Sequence, residues 1–262
     1  MKTTEIAPGS ILQRMYLKSR LRKLKLKDGR FLEIGAGTGY ISRILLKKGL
    51  KGIGLDLNID SCEVNREINK DYISQGSYEV SNANFFELEE DDKFDLIISS
   101  MVIEHLDENQ VQSYFNKCKS LLKTDGVIIT LVPSSMKYWG IEDEIAGHYK
   151  RYSFDCFREI SKAHDLKINK NVGLTYPLSN MVFRLSNFLV RRAESQKENL
   201  SMQEKTVKSS NRKVMYKTNF PIFFRLFLNE ITLFPLHVLQ KLFASNKNAM
   251  VIYNEMKKGP SE

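Results

Sequence analysis

Phe31-Leu32-Glu33-Ile34-Gly35-Ala36-Gly37-Thr38-Gly39 is the stretch that decides the fold. Phe31, Leu32 and Ile34 are the side chains of a buried strand. Gly35, Gly37 and Gly39 follow, a backbone without Cβ atoms that lets a ligand reach main-chain N–H groups. From Tyr40 to about Lys48 the pattern becomes helical, with Ile41, Ile44 and Leu45 on one face and Lys47-Lys48-Gly49 as the stop. Strand, glycine turn and helix together make a nucleotide-type cofactor site. The spacing is G-x-G-x-G, whereas dinucleotide sites carry G-x-G-x-x-G. Glu33, two residues before the first glycine, would face a pyrophosphate as one anion faces another. It suits a ligand with a positive charge, such as an amino-acid ammonium group.

Strands and helices alternate outward from this point. Strands are predicted at 31–34, 52–56, 78–82, 94–99 and 127–132, and helices at 40–48, 59–74, 108–122 and 153–164. Asp125-Gly126 is read as the turn into the fifth strand. This alternation predicts an α/β fold, a parallel sheet with helices on both faces and ligands at the carboxyl ends of the strands. Ser10 to about Leu24 reads as a basic amphipathic helix, 166–172 as a sixth strand and 248–256 as a last one.

The motif around Glu33 resembles that of the class I S-adenosylmethionine (SAM) dependent methyltransferases, E/D-x-G-x-G-x-G. The resemblance implies a Rossmann-like seven-stranded sheet whose last strand is antiparallel and inserts between strands five and six. It divides the chain into a basic N-terminal helix (1–29), a SAM-binding core (30–176), a helical insertion (177–246) and the final strand with its tail (247–262). It implies SAM as cofactor and Glu33, Gly35, Ala36, Gly37 and Gly39 as its cradle. Asp56, which ends the second strand, would accept the ribose hydroxyls, since both carboxylate oxygens are acceptors. Leu57 would lie on the adenine, and Asn82 and Ala83 near its amino group, where the family usually has Asp. A helix N-cap is the plainer reading of Asp56 or Asn58.

Phe94 to Leu106 carries a second match, D-x-[IV]-x-x-x-x-[VA]-[IL]-E-H-[IVL], found in the small-molecule branch of the family. It places Ser99 or Ser100 along the methionine part of SAM and His105 just past the strand, as a base or as a structural imidazole. Gly147-His148-Tyr149-Lys150-Arg151-Tyr152-Ser153 matches G-H-x-[RK]-R-[YF]-[ST] of one small-molecule subgroup and makes His148 and Arg151 acceptor-site candidates. The likeness is to ubiquinone-biosynthesis-type and natural-product or cell-surface O-methyltransferases. It implies methyl transfer to a small acceptor, a hydroxyl of a partly apolar or lipid-linked compound. No N/D-P-P-Y/F signature is present, which argues against nucleic acid as partner, and no His/Asp cluster has metal-ligand spacing, so no metal is expected.

Charge and composition bound the rest. Of 262 residues, 42% are hydrophobic, enough for one sizeable core with an insertion. Residues 1–30 carry 9 Lys/Arg against 2 acids, 31–150 carry 12 against 20, and 151–262 carry 19 against 9. Basic flanks around an acidic core suit an anionic membrane surface, a phosphorylated substrate or nucleic acid, or are simply solvated. Cys62, Cys118 and Cys156 are scattered and odd in number, which predicts neither disulfides nor a zinc site. With no signal-peptide core and no apolar run of ~18 residues, a cytoplasmic location is expected, with peripheral membrane contact open. The 177–246 region is rich in aromatic residues between basic ends, and reads as a lid over the acceptor or an interfacial element. Its middle, 194–218, is polar and expected to be flexible. An RNA or protein methyltransferase and a non-catalytic binding module are the alternative readings.

Overall fold

The computed structural model describes residues 3–5, 7–24, 26, 28–194 and 218–259. The polar stretch singled out above therefore lies, from 195 to 217, outside the described residues. In chain order the first elements are β1 (Thr3–Glu5), α1 (Pro8–Leu21), β2 (Arg30–Ile34), α2 (Tyr40–Leu46), β3 (Lys51–Leu55), α3 (Ile59–Ile68), α4 (Lys70–Ser74), β4 (Tyr78–Ser81) and β5 (Phe94–Ser100). Then come α5 (Glu108–Leu121), β6 (Leu122–Pro133), α6 (Ile141–Ala146), α7 (Phe154–Ala163), β7 (Leu166–Leu174), α8 (Leu178–Glu194), β8 (Asn219–Pro221), α9 (Phe234–Leu242) and β9 (Val251–Lys258).

Seven strands form one sheet in the order β4-β3-β2-β5-β6-β9-β7. β2 pairs in parallel with both β3 and β5, β3 with β4, and β5 with β6. The last strand of the chain lies between β6 and β7, the strand order expected of the methyltransferase sheet. The central strands are buried on both faces and mostly apolar: Phe31 to Ile34 of β2 and Leu96 to Ser99 of β5 are all buried, Glu33 and Ser99 being the polar exceptions. Gly52 is required by this sheet, since a Cβ there would stand 2.2 Å from the Phe31 carbonyl oxygen on the paired strand.

The helix starts follow local chemistry. Asn58 caps α3 by accepting from the Ser61 N–H at 3.0 Å, and Ser153 caps α7 by accepting from the Cys156 N–H at 3.1 Å. Asp107 and Gln110 form a reciprocal capping box on α5.

The helix predicted over 59–74 is broken in two. Asn69 leaves helical geometry there, and its side chain donates to the Gly39 carbonyl at 3.2 Å. The strand predicted at 127–132 begins at Leu122. Leu122 pairs with Phe94 and Val127 with Leu96, so Asp125-Gly126 falls in a bulge inside β6 and not before it. The final strand starts at Val251, later than expected. The two-stranded sheet of β1 and β8 was not foreseen; strands of three residues leave no periodicity to read.

The chain divides into two compact units, each described by itself. One comprises residues 25–132, 152–171 and 253–262, and holds the glycine turn and most of the sheet. The other comprises 1–24, 133–151 and 172–252. In the second, Ile11, Leu12 and Met15 of α1 pack with Phe220 and Leu233, and Ile141 and Ile145 of α6 with Leu189 and Val190 of α8. Gln240 of α9 ties this unit together: its Nε2 donates to the Leu12 carbonyl at 3.0 Å and its Oε1 accepts from the Thr175 N–H at 3.0 Å. No helix among the described residues is long and apolar enough to cross a membrane.

Candidate active site

The glycine turn between β2 and α2 needs glycine for its backbone conformation and, at two positions, for space. Gly35, Gly37 and Gly39 have φ of 70°, 51° and 77°, the left-handed region. A Cβ on Gly35 would meet Val102 Cγ2 at 2.4 Å, and one on Gly39 would meet Asn65 Oδ1 at 2.0 Å. At Gly37 nothing lies within 4 Å, so that glycine borders open space. The turn is held by hydrogen bonds from the Ala36 N–H to the Leu55 carbonyl (2.8 Å) and from the Gly39 N–H to the Ala36 carbonyl (2.9 Å).

Asp56 meets this turn from the end of β3. Its Oδ2 accepts from the Gly37 N–H at 2.7 Å and its Oδ1 from the Asn58 N–H at 2.8 Å. Each oxygen keeps acceptor capacity beyond one hydrogen bond. Asn58, not Asp56, is the cap of α3, so the plainer reading of Asp56 does not hold. The exposed Asn82 donates from Nδ2 to the Asp56 carbonyl at 2.9 Å, Leu57 is exposed beside it, and Ala83 is half-buried.

Behind the turn runs a buried polar chain that sequence reading missed. The Ser42 hydroxyl donates to Glu33 and lies 2.6 Å from the Tyr78 hydroxyl. Asn65 Nδ2 donates to that phenol oxygen at 3.1 Å, and Asn69 Nδ2 to Asn65 Oδ1 at 2.9 Å. A Cβ on Gly54 would stand 2.1 Å from the Tyr78 oxygen, so Gly54 is what admits the phenol. Burial pushes the Glu33 carboxyl up to about 8; the Ser42 hydrogen bond opposes this and the Asp56 charge adds to it. Glu33 holds a proton in the folded chain between pH ~4.5 and ~8 that the unfolded chain does not, so its contribution to stability is full below pH ~4.5 and lost as pH rises through ~8. Glu33→Gln is therefore expected to flatten the fall in unfolding free energy between pH 5 and 8, read from denaturant midpoints. An identical slope in both proteins would contradict the assignment.

Gly39→Ala is expected to destabilise the chain by at least ~2 kcal/mol, from left-handed backbone strain plus the collision with the networked Asn65. Urea unfolding checks this, and an unchanged midpoint would show that the turn relaxes freely.

Ser99 is fully buried, and its hydroxyl accepts from Tyr114 at 2.9 Å, so its side chain is spent on packing against α5. Ser100, the next residue, is half-buried. β5 is followed by a strained residue, Met101, with φ of 57°. The half-buried His105 follows in a short 3-10 turn, Ile103–His105. The fully buried Tyr152 donates to the Ile103 carbonyl at 2.9 Å, which anchors this turn.

In the other unit, His148 and Arg151 converge on Asp143. Asp143 Oδ1 lies 2.8 Å from His148 Nδ1 and accepts from Arg151 Nε at 2.8 Å, while Oδ2 accepts from the Gly140 N–H at 2.9 Å. Gly147, with φ of 74°, ends α6 and turns the chain so that the His148 N–H reaches the Asp143 carbonyl at 2.9 Å. Burial raises the Asp143 carboxyl, but hydrogen bonds from His148 and Arg151 outweigh it and hold the group below its ordinary range. Arg151 is itself buried, and its Nη1 donates to the Ser134 carbonyl at 3.3 Å. Its guanidinium is thus a brace for Asp143. Sequence reading named His148 and Arg151 and passed over Asp143, the residue that joins them.

Residues 11–171 match a family described as Methyltransferase domain. Among curated relatives, a ubiquinone biosynthesis O-methyltransferase of Pelagibacter ubique is 27% identical over 111 residues, 42% of this chain and 45% of that protein. A sphingolipid C9-methyltransferase of Gibberella zeae is 26% identical over 136 residues, 50% of this chain and 26% of that protein. The chain thus spans less than half the length of these two relatives. Among solved structures, YcgJ of Bacillus subtilis aligns with a TM-score of 0.58 at 14% identity over 95% of this chain and 100% of that one. An S-adenosylmethionine-dependent methyltransferase of Clostridium acetobutylicum aligns with a TM-score of 0.54 at 15% identity, over 97% and 93%. At such identities the structures speak for the fold, and the family match covers more than half of the sequence: this chain belongs to the methyltransferase-domain family.

Proposed function

We propose that this protein transfers a methyl group from SAM to a hydroxyl of a small, partly apolar acceptor, working as a peripheral protein at a membrane surface. The observation that carries the cofactor reading is the open space at Gly37 beside a carboxylate, Asp56, already clamped to the Gly37 N–H at 2.7 Å. That donor and acceptor set fits the cofactor: Asp56 for the ribose hydroxyls, the exposed Leu57 for the adenine face, and Asn82 and Ala83 near its amino group, whereas the buried, protonated Glu33 braces the turn from behind and does not supply the charge expected for the ammonium. When bound, SAM supplies an electrophilic methyl group on a sulfonium. The chain's part is to align the acceptor and to take its proton.

His148 is built for the second task. With Nδ1 held by Asp143 as a donor, Nε2 is the basic nitrogen, and the carboxylate stabilises the imidazolium that forms. Arg151 positions Asp143 and does not itself touch the acceptor in this reading. His105 is the second candidate base. The hydroxyl acceptor draws support from the relative named as an O-methyltransferase, and the apolar part from the relative named for a sphingolipid.

The test uses SAM labelled in its methyl group. The purified protein is incubated with extract of its source cells, and lipid, small soluble, protein and RNA fractions are separated. Label in the lipid or small-molecule fraction, absent with Asp56→Ala, is the expected result. Label confined to RNA or protein would replace this reading by the one that the basic flanks otherwise favour.

A further inference from the structure

The unit of residues 1–24, 133–151 and 172–252 exposes far more apolar surface than packing explains. Ile231 is 86% exposed, Leu242 74% and Leu226 72%. Phe227, Phe234 and Val238 are exposed with them. Phe234, Val238 and Leu242 are spaced by four residues, which places them on one face of α9. The opposite side of α9 is anchored inward through the buried His237 and Gln240, so the ridge is held outward by a rigid helix. A comparable stripe, Met181, Leu185 and Phe188, is exposed on α8, which also exposes Arg184 and Arg191.

The charges around the ridge are predominantly basic. From 218 to 250 the only acid is Glu230, and it is paired with Lys18 of α1. Arg225 and Lys241 are exposed within the same stretch. α1 packs against this region and carries Arg14, Lys18 and Arg20 with no acidic residue. Apolar side chains framed by a net excess of cations match the chemistry of an anionic bilayer, whose acyl boundary takes the ridge and whose headgroups take the frame. A second copy of the chain fits worse, because a two-fold pairing of this face would bring like charges together around the contact.

We propose that α9 and the turn before it form an interfacial face that seats the protein on an anionic membrane, with Ile231, Phe234, Val238 and Leu242 entering the acyl boundary. This deepens the apolar-acceptor reading and rests on it for its purpose, but the binding test needs neither cofactor nor acceptor, so its failure would remove the membrane placement and leave methyl transfer standing.

The full chain is sedimented with vesicles of phosphatidylcholine alone or mixed with phosphatidylglycerol. It is expected to pellet with the anionic vesicles and to be released by salt. The double variant Ile231→Ser, Leu242→Ser is expected to bind at least about tenfold more weakly, since two exposed apolar side chains lose their transfer gain. Its thermal unfolding and its affinity for SAM should match the parent, because both side chains are exposed in the folded chain. A charge variant, Arg225→Gln with Lys241→Gln, is expected to lose the preference for anionic over neutral vesicles. No binding to anionic vesicles by the parent, or equal binding by the double variant, would overturn the proposal. So would a parent dimer in sedimentation velocity that the double variant lacks, which would make the ridge a self-association face.

Discussion

His148→Ala is expected to lower kcat by about 10²- to 10³-fold with the affinity for SAM unchanged, the size of effect that loss of a positioned general base produces. The argument rests on the imidazole's partners. Asp143 is fully buried and holds His148 Nδ1 at 2.8 Å, an arrangement that fixes the ring's tautomer as well as its place. Asp143→Asn tests that link: the amide can present its NH₂ to Nδ1 and favour the wrong tautomer, so kcat should fall without a matching rise in the acceptor's KM. Arg151→Lys should reduce turnover less, because an ammonium can keep the charge but not the two-point brace to Asp143 and the Ser134 carbonyl. Full turnover in His148→Ala would leave His105 as the candidate base.

Asp56→Ala is expected to raise the dissociation constant for SAM about 100-fold or more. Hydrogen bonds accepted by a charged carboxylate are worth ~1.5–3 kcal/mol each, and two are proposed to the ribose. The substitution also frees the Gly37 N–H that Asp56 now holds, loosening the turn itself. Asp56→Asn keeps one side-chain oxygen and should fall between the two. Calorimetric titration of each variant measures this, with thermal unfolding as the control for folding. Unchanged affinity in Asp56→Ala would remove Asp56 from the cofactor site.

The parts of this account that were legible in the sequence are those encoded within a few residues. The strand–glycine–helix passage from Phe31 to Gly39, Asp56 at a strand end, and Ser153 before a helix each announce themselves locally. Tyr78 was not legible as a partner of Glu33, because Ser42, which joins them, lies 36 residues before Tyr78 and Gly54 makes the space. Asp143 was hidden differently: it stands five residues before His148, and only the left-handed Gly147 shows that the chain folds His148 back onto it. Ser99 and Ser100 were indistinguishable, since a strand buried on both faces has no alternation to say which one packs inward. The break at Asn69 and the bulge at Asp125-Gly126 depend on distant partners, the Gly39 carbonyl and β5.

The central claim is that the turn from Gly35 to Gly39, with Asp56, holds SAM. Titration calorimetry of SAM into the purified full chain tests it most directly. The account predicts one site per chain, competed by S-adenosylhomocysteine and abolished or strongly weakened in Asp56→Ala. Absence of any binding heat to folded protein, confirmed by no shift in its thermal unfolding with saturating SAM, would contradict it.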